Sequence, residues 1–274
     1  MGWSDAQRLL DGLVSAPACM VTVLATEGSV PRERGAWMAV FADRTVGTIG
    51  GGHLELQAIA ESRCRLGGVS GPERVRYALG PALGQCCGGV VHLGFELLKA
   101  ADLAHADNLH ARLTPPLHPV ALFGGGHVGH AIAQVLTPLP FALTWIDSRD
   151  GIFPNPAPRG VVCEHSDPVQ LAVPSLATGS RVLIMSFSHA EDLDVLDACL
   201  RRQRNQGDLP FIGLIGSKTK WATFSKRLLG RGFSAQDLAQ VNCPIGIPGV
   251  VGKEPEVIAV AVAAQLLQTL NGAG

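Results

Sequence analysis

The sequence predicts an α/β protein in two parts, an N-terminal α/β domain followed by a Rossmann-type parallel-sheet domain. Three observations predict it. From Val120 onward, short apolar runs alternate with helix-like periods at the spacing of parallel βαβ units. Gly124-Gly125-Gly126-His127-Val128-Gly129 stands between the first such run and its helix, the context that a dinucleotide fingerprint requires. Ahead of both, Thr114-Pro115-Pro116-Leu117-His118-Pro119 interrupts the pattern, because proline cannot continue a helix and stiffens a connection. We therefore read residues 1–100 as one domain, 101–118 as a linker and 119–274 as the second domain.

In the first part, Ser4 is placed to cap a helix whose Leu9, Leu10, Leu13 and Val14 share one face. Cys19–Thr26 reads as a buried strand, and Ala36–Ala42 and Thr45–Ile49 as two more. A helix is expected from His53 to Leu66. Strands near Arg74–Leu79 and Val90–Leu97 flank the loop Gly80-Pro81-Ala82-Leu83-Gly84-Gln85-Cys86-Cys87-Gly88-Gly89.

In the second part the expected strands are Val120–Phe123, Phe141–Ile146, Gly160–Cys163, Arg181–Phe187 and Phe211–Ile215. Helices are expected at His127–Leu136, Glu191–Arg204, Lys218–Leu229 and Pro255–Leu270.

Composition narrows the function classes. The chain is 47% hydrophobic and 16% charged with a net charge of −1, so it offers no polyelectrolyte attraction to nucleic acid or to an anionic membrane. That apolar balance suggests that some apolar surface is covered, by a second copy in a homo-oligomer or by a client protein, although a large core alone also accounts for it. Charges in Met1-Gly2-Trp3-Ser4-Asp5-Ala6-Gln7-Arg8 interrupt any export signal, and the apolar run Val257–Ala264 is too short to span a bilayer. Seven cysteines without a regular framework point to reduced thiols and a cytoplasmic location.

Within the fingerprint, Gly124 permits the tight turn, Gly126 lets a pyrophosphate approach the backbone, and Gly129 allows helix and strand to pack closely. The helix opening at His127 adds positive potential. Asp147, ending the next strand, stands where a carboxylate accepts hydrogen bonds from a ribose, which makes NAD(P) a candidate ligand; the alternative is a Rossmann scaffold that binds no nucleotide. His189 follows a strand at the ligand-binding edge of such sheets, or it caps the next helix. Ser217 and Lys218 share that edge and could meet an anion, although Lys218 also suits plain solvent exposure.

The first part carries a second glycine-rich turn, Gly47-Thr48-Ile49-Gly50-Gly51-Gly52-His53-Leu54-Glu55, again between a strand and a helix. Gly50, Gly51 and Gly52 can aim successive amides at one phosphate, or simply make a tight turn. Arg32 and Arg34 on the loop Gly28–Gly35 suit bidentate phosphate contacts, or remain solvated. Cys86 and Cys87 could serve as soft ligands for a sulfur-bonded metal or as a persulfide carrier, or be small buried residues. Zinc spacing is missing.

An NAD(P)-dependent oxidoreductase acting on a small substrate is one functional reading. Against it, Tyr77 is the sole tyrosine and no Tyr-x-x-x-Lys pair accompanies it. Neither a G-x-S-x-G nucleophile nor a P-loop occurs.

Six blocks, taken together, resemble a known family. They are Gly28-Ser29-Val30-Pro31-Arg32 with Gly35, Gly47–Glu55, Gly84–Gly89, Phe123–Gly129, Trp145-Ile146-Asp147-Ser148-Arg149 and Gly213-Leu214-Ile215-Gly216-Ser217-Lys218. Pro244-Ile245-Gly246-Ile247 and Gly252-Lys253-Glu254-Pro255-Glu256 complete the pattern. In this order they are similar to the xanthine dehydrogenase accessory proteins of the XdhC/CoxI type, which are molybdenum cofactor chaperones. The resemblance covers nearly the whole chain and implies a domain pair of the kind read above. It implies that the chain binds molybdenum cofactor (molybdopterin), supports its sulfuration with a cysteine desulfurase, and inserts it into apo xanthine dehydrogenase at the molybdenum subunit. Molybdenum cofactor biosynthesis proteins would be further partners. On this reading Arg32, Gly50, Gly51, Gly52, His53, Glu55, Cys86 and Cys87 hold the cofactor, the two cysteines as metal ligands, and the chain is not itself a turnover enzyme. Two departures from the family pattern are small: Gly125 where alanine is frequent, and Ser188-His189 where Thr-His is frequent.

Overall fold

The computed structural model describes residues 3–79, 88–114 and 116–270. The chain divides into two compact units, Met1–Pro116 and Leu117–Gly274.

The first unit opens with helix α1 (Trp3–Leu13), in which Ala6, Leu9, Leu10 and Leu13 recur at helical spacing and are buried. Each buried leucine contributes about 2 kcal/mol of apolar transfer energy. Ser4 lies inside this helix, and Val14, expected on its buried face, follows the helix end and is exposed. Strands β1 (Ala18–Glu27), β2 (Trp37–Val40) and β3 (Thr45–Gly47) come next, then α2 (Gly52–Leu66), β4 (Arg74–Ala78) and β5 (Val90–Leu98). The strands form one antiparallel sheet ordered β3-β2-β1-β5-β4. Alternation along β1 sends Ala18 and Met20 to the core shared with α1, and Cys19, Val21 and Val23 to the core shared with α2.

Residues expected to form a linker are part of this unit instead. A 3-10 turn (Ala100–His105) leads into α3 (Ala106–Leu113), whose Leu109 and Leu113 enter the α1 core. The buried Trp37 indole N–H donates to the Leu113 carbonyl at 2.9 Å, fixing the end of α3 to the sheet. With Leu103, Leu109 and Leu113 as its only large apolar residues, spread over two short helical pieces, the stretch gives only a weak periodic signal.

The second unit contains β6 (His118–Phe123), α4 (His127–Leu136), β7 (Phe141–Asp147), β8 (Val161–His165), β9 (Arg181–Ile184), α5 (His189–Gln206), β10 (Phe211–Leu214), α6 (Lys218–Gly230), α7 (Ala235–Leu238), β11 (Val241–Asn242) and α8 (Pro255–Gln268). Its six strands are all parallel, in the order β11-β10-β9-β6-β7-β8. Numbered within the sheet this is 6-5-4-1-2-3, the order of dinucleotide-binding sheets, and the direction of winding reverses between β6 and β9. Central strands β9 and β10 are buried throughout because helices cover both faces. One face packs on α5 and α6 and the other on α4 and α8. Strand β9 stops at Ile184, three residues before the expected Phe187, and Phe187 is exposed.

Candidate functional site

In the first unit, backbone packing gathers three of the glycine-rich segments. Gly50 has φ +122°, and a Cβ there would lie 2.6 Å from Pro31 Cβ and 3.5 Å from Arg32 Cγ, so the arginine loop rests directly on the triple-glycine turn. The Gly89 amide donates to the Ser29 carbonyl at 3.1 Å, and a side chain at Gly89 would collide with the backbone of Glu27 and Ser29. Arg32, Gly52 and His53 are exposed at this edge. Cys86 and Cys87 lie outside the described residues, three and two positions before Gly89.

The amides of the turn already have an anion. One Glu55 carboxylate oxygen, Oε2, accepts from Thr48 Oγ1 at 2.6 Å, from the Ile49 amide at 3.1 Å and from the Gly51 amide at 3.0 Å. The expected phosphate position is thus filled by the chain's own carboxylate. Beyond it, no side chain caps the first turn of α2 at Gly52 and His53.

In the second unit the fingerprint glycines separate into different roles. A Cβ on Gly124 (φ +123°) would overlap the Met185 carbonyl of β9's extension, and one on Gly129 would overlap the Gly124 carbonyl. Both glycines are there for close packing. Gly126 differs, because nothing lies within 4 Å of its Cβ position. It precedes α4 at His127 and no side chain caps that helix, so the turn offers open amides at a positive helix end.

Asp147, expected to accept from a ribose, is 1% exposed and already committed. Its Oδ1 accepts from the Arg149 amide at 2.8 Å and from Arg149 Nε at 2.9 Å; its Oδ2 accepts from the Gly125 amide at 2.5 Å and Arg149 Nη2 at 2.9 Å. Burial pushes this carboxyl's pKa up, but the bonds from Arg149 and Gly125 outweigh it and hold the group below the usual carboxylate value. A side chain at Gly125 would press on Ile152 Cγ1 at 2.7 Å, so an alanine there would need that neighbour to shift.

A family model described as XdhC Rossmann domain matches residues 120–266, more than half of the chain, and one described as XdhC and CoxI family matches residues 15–78. The chain belongs to the XdhC family. It is 28% identical over 268 residues to the uncharacterized protein YqeB of Escherichia coli strain K12. That alignment covers 94% of this chain and 44% of YqeB, so the chain spans less than half of the relative's length. A crystal structure described as a xanthine dehydrogenase from Bacillus halodurans superposes with a TM-score of 0.81 at 19% identity, covering 100% of this chain and 97% of that one. At that identity the likeness speaks for the fold.

The remaining expected residues of this XdhC-family chain sit at the carboxyl edge of the parallel sheet. His189 is the first residue of α5 and exposed, its ring nearly perpendicular to that of Phe224 with the ring centres 6.2 Å apart. Ser188 caps α5 by accepting the Glu191 amide at 3.2 Å. Ser217 likewise caps α6, accepting the Lys220 amide at 3.2 Å, and Lys218 is exposed.

Lys220 is the lysine that sequence reasoning missed. Its Nζ donates to Asp192 Oδ2 at 2.6 Å and to the Ile215 carbonyl at 2.7 Å, while Asp192 Oδ1 accepts the Ser186 amide at 2.7 Å. This pair, half-buried at Lys220 and buried at Asp192, ties the carboxyl ends of β9 and β10 to the two helices that follow them. The signal was present in the i, i+4, i+8 spacing of Lys220, Phe224 and Leu228, which puts the lysine on the inward face of α6. Among the described residues no group of three His, Cys, Asp or Glu is arranged to hold a metal ion.

Proposed function

We propose that this protein is an accessory protein of xanthine dehydrogenase that binds molybdenum cofactor and inserts it into the apo enzyme, acting with a cysteine desulfurase when the cofactor is sulfurated. The observation that carries this reading is the convergence of Arg32, the Gly50–Gly52 turn and Gly89 on one edge of the first unit. Arg32 and the uncapped amides of Gly52 and His53 suit the phosphate of a molybdopterin, with Glu55 holding the turn in shape. Cys86 and Cys87, three and two positions before Gly89 in the sequence, supply the soft sulfur that such a metal prefers. When bound, the cofactor supplies a sulfur-ligated molybdenum centre that these side chains hold and release.

The second unit, on the same reading, binds a nucleotide through the open turn at Gly126 and the start of α4. Its strand order also favours a second reading, an NAD(P)-dependent oxidoreductase. Hydride transfer measured with added small substrates separates the two.

Activation of apo xanthine dehydrogenase in a reconstituted assay tests the proposal. Wild-type protein is expected to activate it, and the Cys86→Ser, Cys87→Ser double variant is expected to stay folded, keep its nucleotide affinity and fail. Full activation by the double variant would make both cysteines structural and contradict their assignment.

A further inference from the structure

We infer that Arg149 and Phe187 form the seat for the adenine ring of the ligand at the Gly124–Gly129 turn, and that Asp147 positions Arg149 instead of reading the ribose. The inference rests on the nucleotide reading of the second unit.

Strand β6 lies between β7 and β9 in the sheet, so the residues just beyond β7 and β9 stand on either side of the turn. Arg149 follows β7 and Phe187 follows β9. The Arg149 guanidinium lies 4.6 Å from the centre of the Phe187 ring, which makes a bridge across the point where the winding reverses. Ligands of open α/β sheets bind in that crevice.

Two properties of the pair go beyond packing. Phe187 is 64% exposed, the one aromatic ring among the large apolar side chains exposed in the described residues, so its surface is open to a ligand as well as to Arg149. Arg149 cannot rotate freely, because Asp147 grips both Nε and Nη2. A guanidinium held flat stacks on one aromatic ring and can take a second in the same manner. Its Nη1 has no hydrogen-bond partner among the described residues and is left for the ligand.

Each Asp147 oxygen already accepts two bonds, and the side chain is buried. It has neither access nor spare capacity for a ribose hydroxyl. The Gly125 amide among its donors links the Arg149 anchor to the phosphate turn itself. A neutralised carboxylate also loses the repulsion by which a free one rejects a 2′-phosphate, so NAD and NADP should bind within about tenfold of each other.

Calorimetry on the full chain with ADP and with inorganic pyrophosphate tests the seat. Wild-type protein should bind ADP at least about tenfold more tightly than pyrophosphate. Phe187→Ala and Arg149→Lys should each weaken ADP by about tenfold and pyrophosphate by less than about twofold. Both variants are expected to fold, since Phe187 is at the surface and lysine keeps a cation beside Asp147. Equal affinity of wild type for the two ligands, or variants that leave ADP binding unchanged or weaken both ligands alike, would overturn the adenine seat while leaving the anion turn in place. A wild-type preference for NAD over NADP of a hundredfold would return the ribose to Asp147 and overturn its positioning role. Binding of neither ligand would overturn the nucleotide reading and the seat with it.

Discussion

Asp147 and Arg149, two residues apart at the end of β7, meet through two parallel hydrogen bonds of 2.9 Å. A carboxylate buried this fully survives only because its charge is matched and its lone pairs are used. Asp147→Asn should therefore cost about 1–3 kcal/mol in urea unfolding at neutral pH. The folded-state pKa lies below 3.8, so the stabilisation is complete above that value and is lost as pH falls through the lowered one. The gap between wild type and variant should close in the same acid range. A gap that persisted there would mean that the carboxylate's charge contributes little.

The fingerprint glycines should respond differently to alanine. Gly129→Ala drives a methyl group into the Gly124 carbonyl and should lower stability by about 1–3 kcal/mol. Gly126→Ala enters open space at a negative φ and should leave the thermal midpoint the same or higher. Gly126→Val should also fold, yet block nucleotide binding measured by calorimetry. Equal destabilisation at both positions would show that the Gly126 turn is packed and not open.

Glu55 predicts an anion effect that grows when it is removed. Glu55→Ala leaves the Ile49 and Gly51 amides without their acceptor and should cost about 1–2 kcal/mol. Inorganic phosphate should then raise the thermal midpoint of the variant by more than that of the wild type, because the Ile49 and Gly51 amides become a further anion site. Equal response of both proteins would place any phosphate away from this turn.

Lysines 218 and 220 make a matched comparison. Lys220→Ala strands Asp192 among buried neighbours and should cost about 3–5 kcal/mol. Lys218→Ala, at an exposed position, should change stability by less than about 0.5 kcal/mol. Chemical denaturation of both variants distinguishes the clamp from the surface residue.

Much of the parallel unit could be read directly from its residues, because strands buried on both faces leave unbroken apolar runs and the helices between them keep a 3.6-residue period. The antiparallel strands also alternate cleanly. What escaped were pieces whose signal is short or polar: the helix at Ala106–Leu113, the two-residue strand β11 and the 3-10 turn at Val169–Ser175. Site residues were legible as types and not as partnerships. Glu55 was singled out with its turn, but not as the anion filling it, since the reach of a side chain back over four residues has no sequence signature. Asp147 was found at its strand end, while its use by Arg149 depends on a rotamer that spacing does not reveal. Lys218 drew notice through its motif, and the lysine that pairs with Asp192 lay two residues further on.

Pterin and molybdenum content of the protein purified from cells that make the cofactor tests the central claim most directly. The expected result is bound molybdopterin in the wild-type protein, sharply reduced in the Arg32→Ala variant and in the Cys86→Ser, Cys87→Ser variant. Wild-type protein from such cells that carries neither pterin nor molybdenum, and acquires neither on incubation with the cofactor, would contradict it.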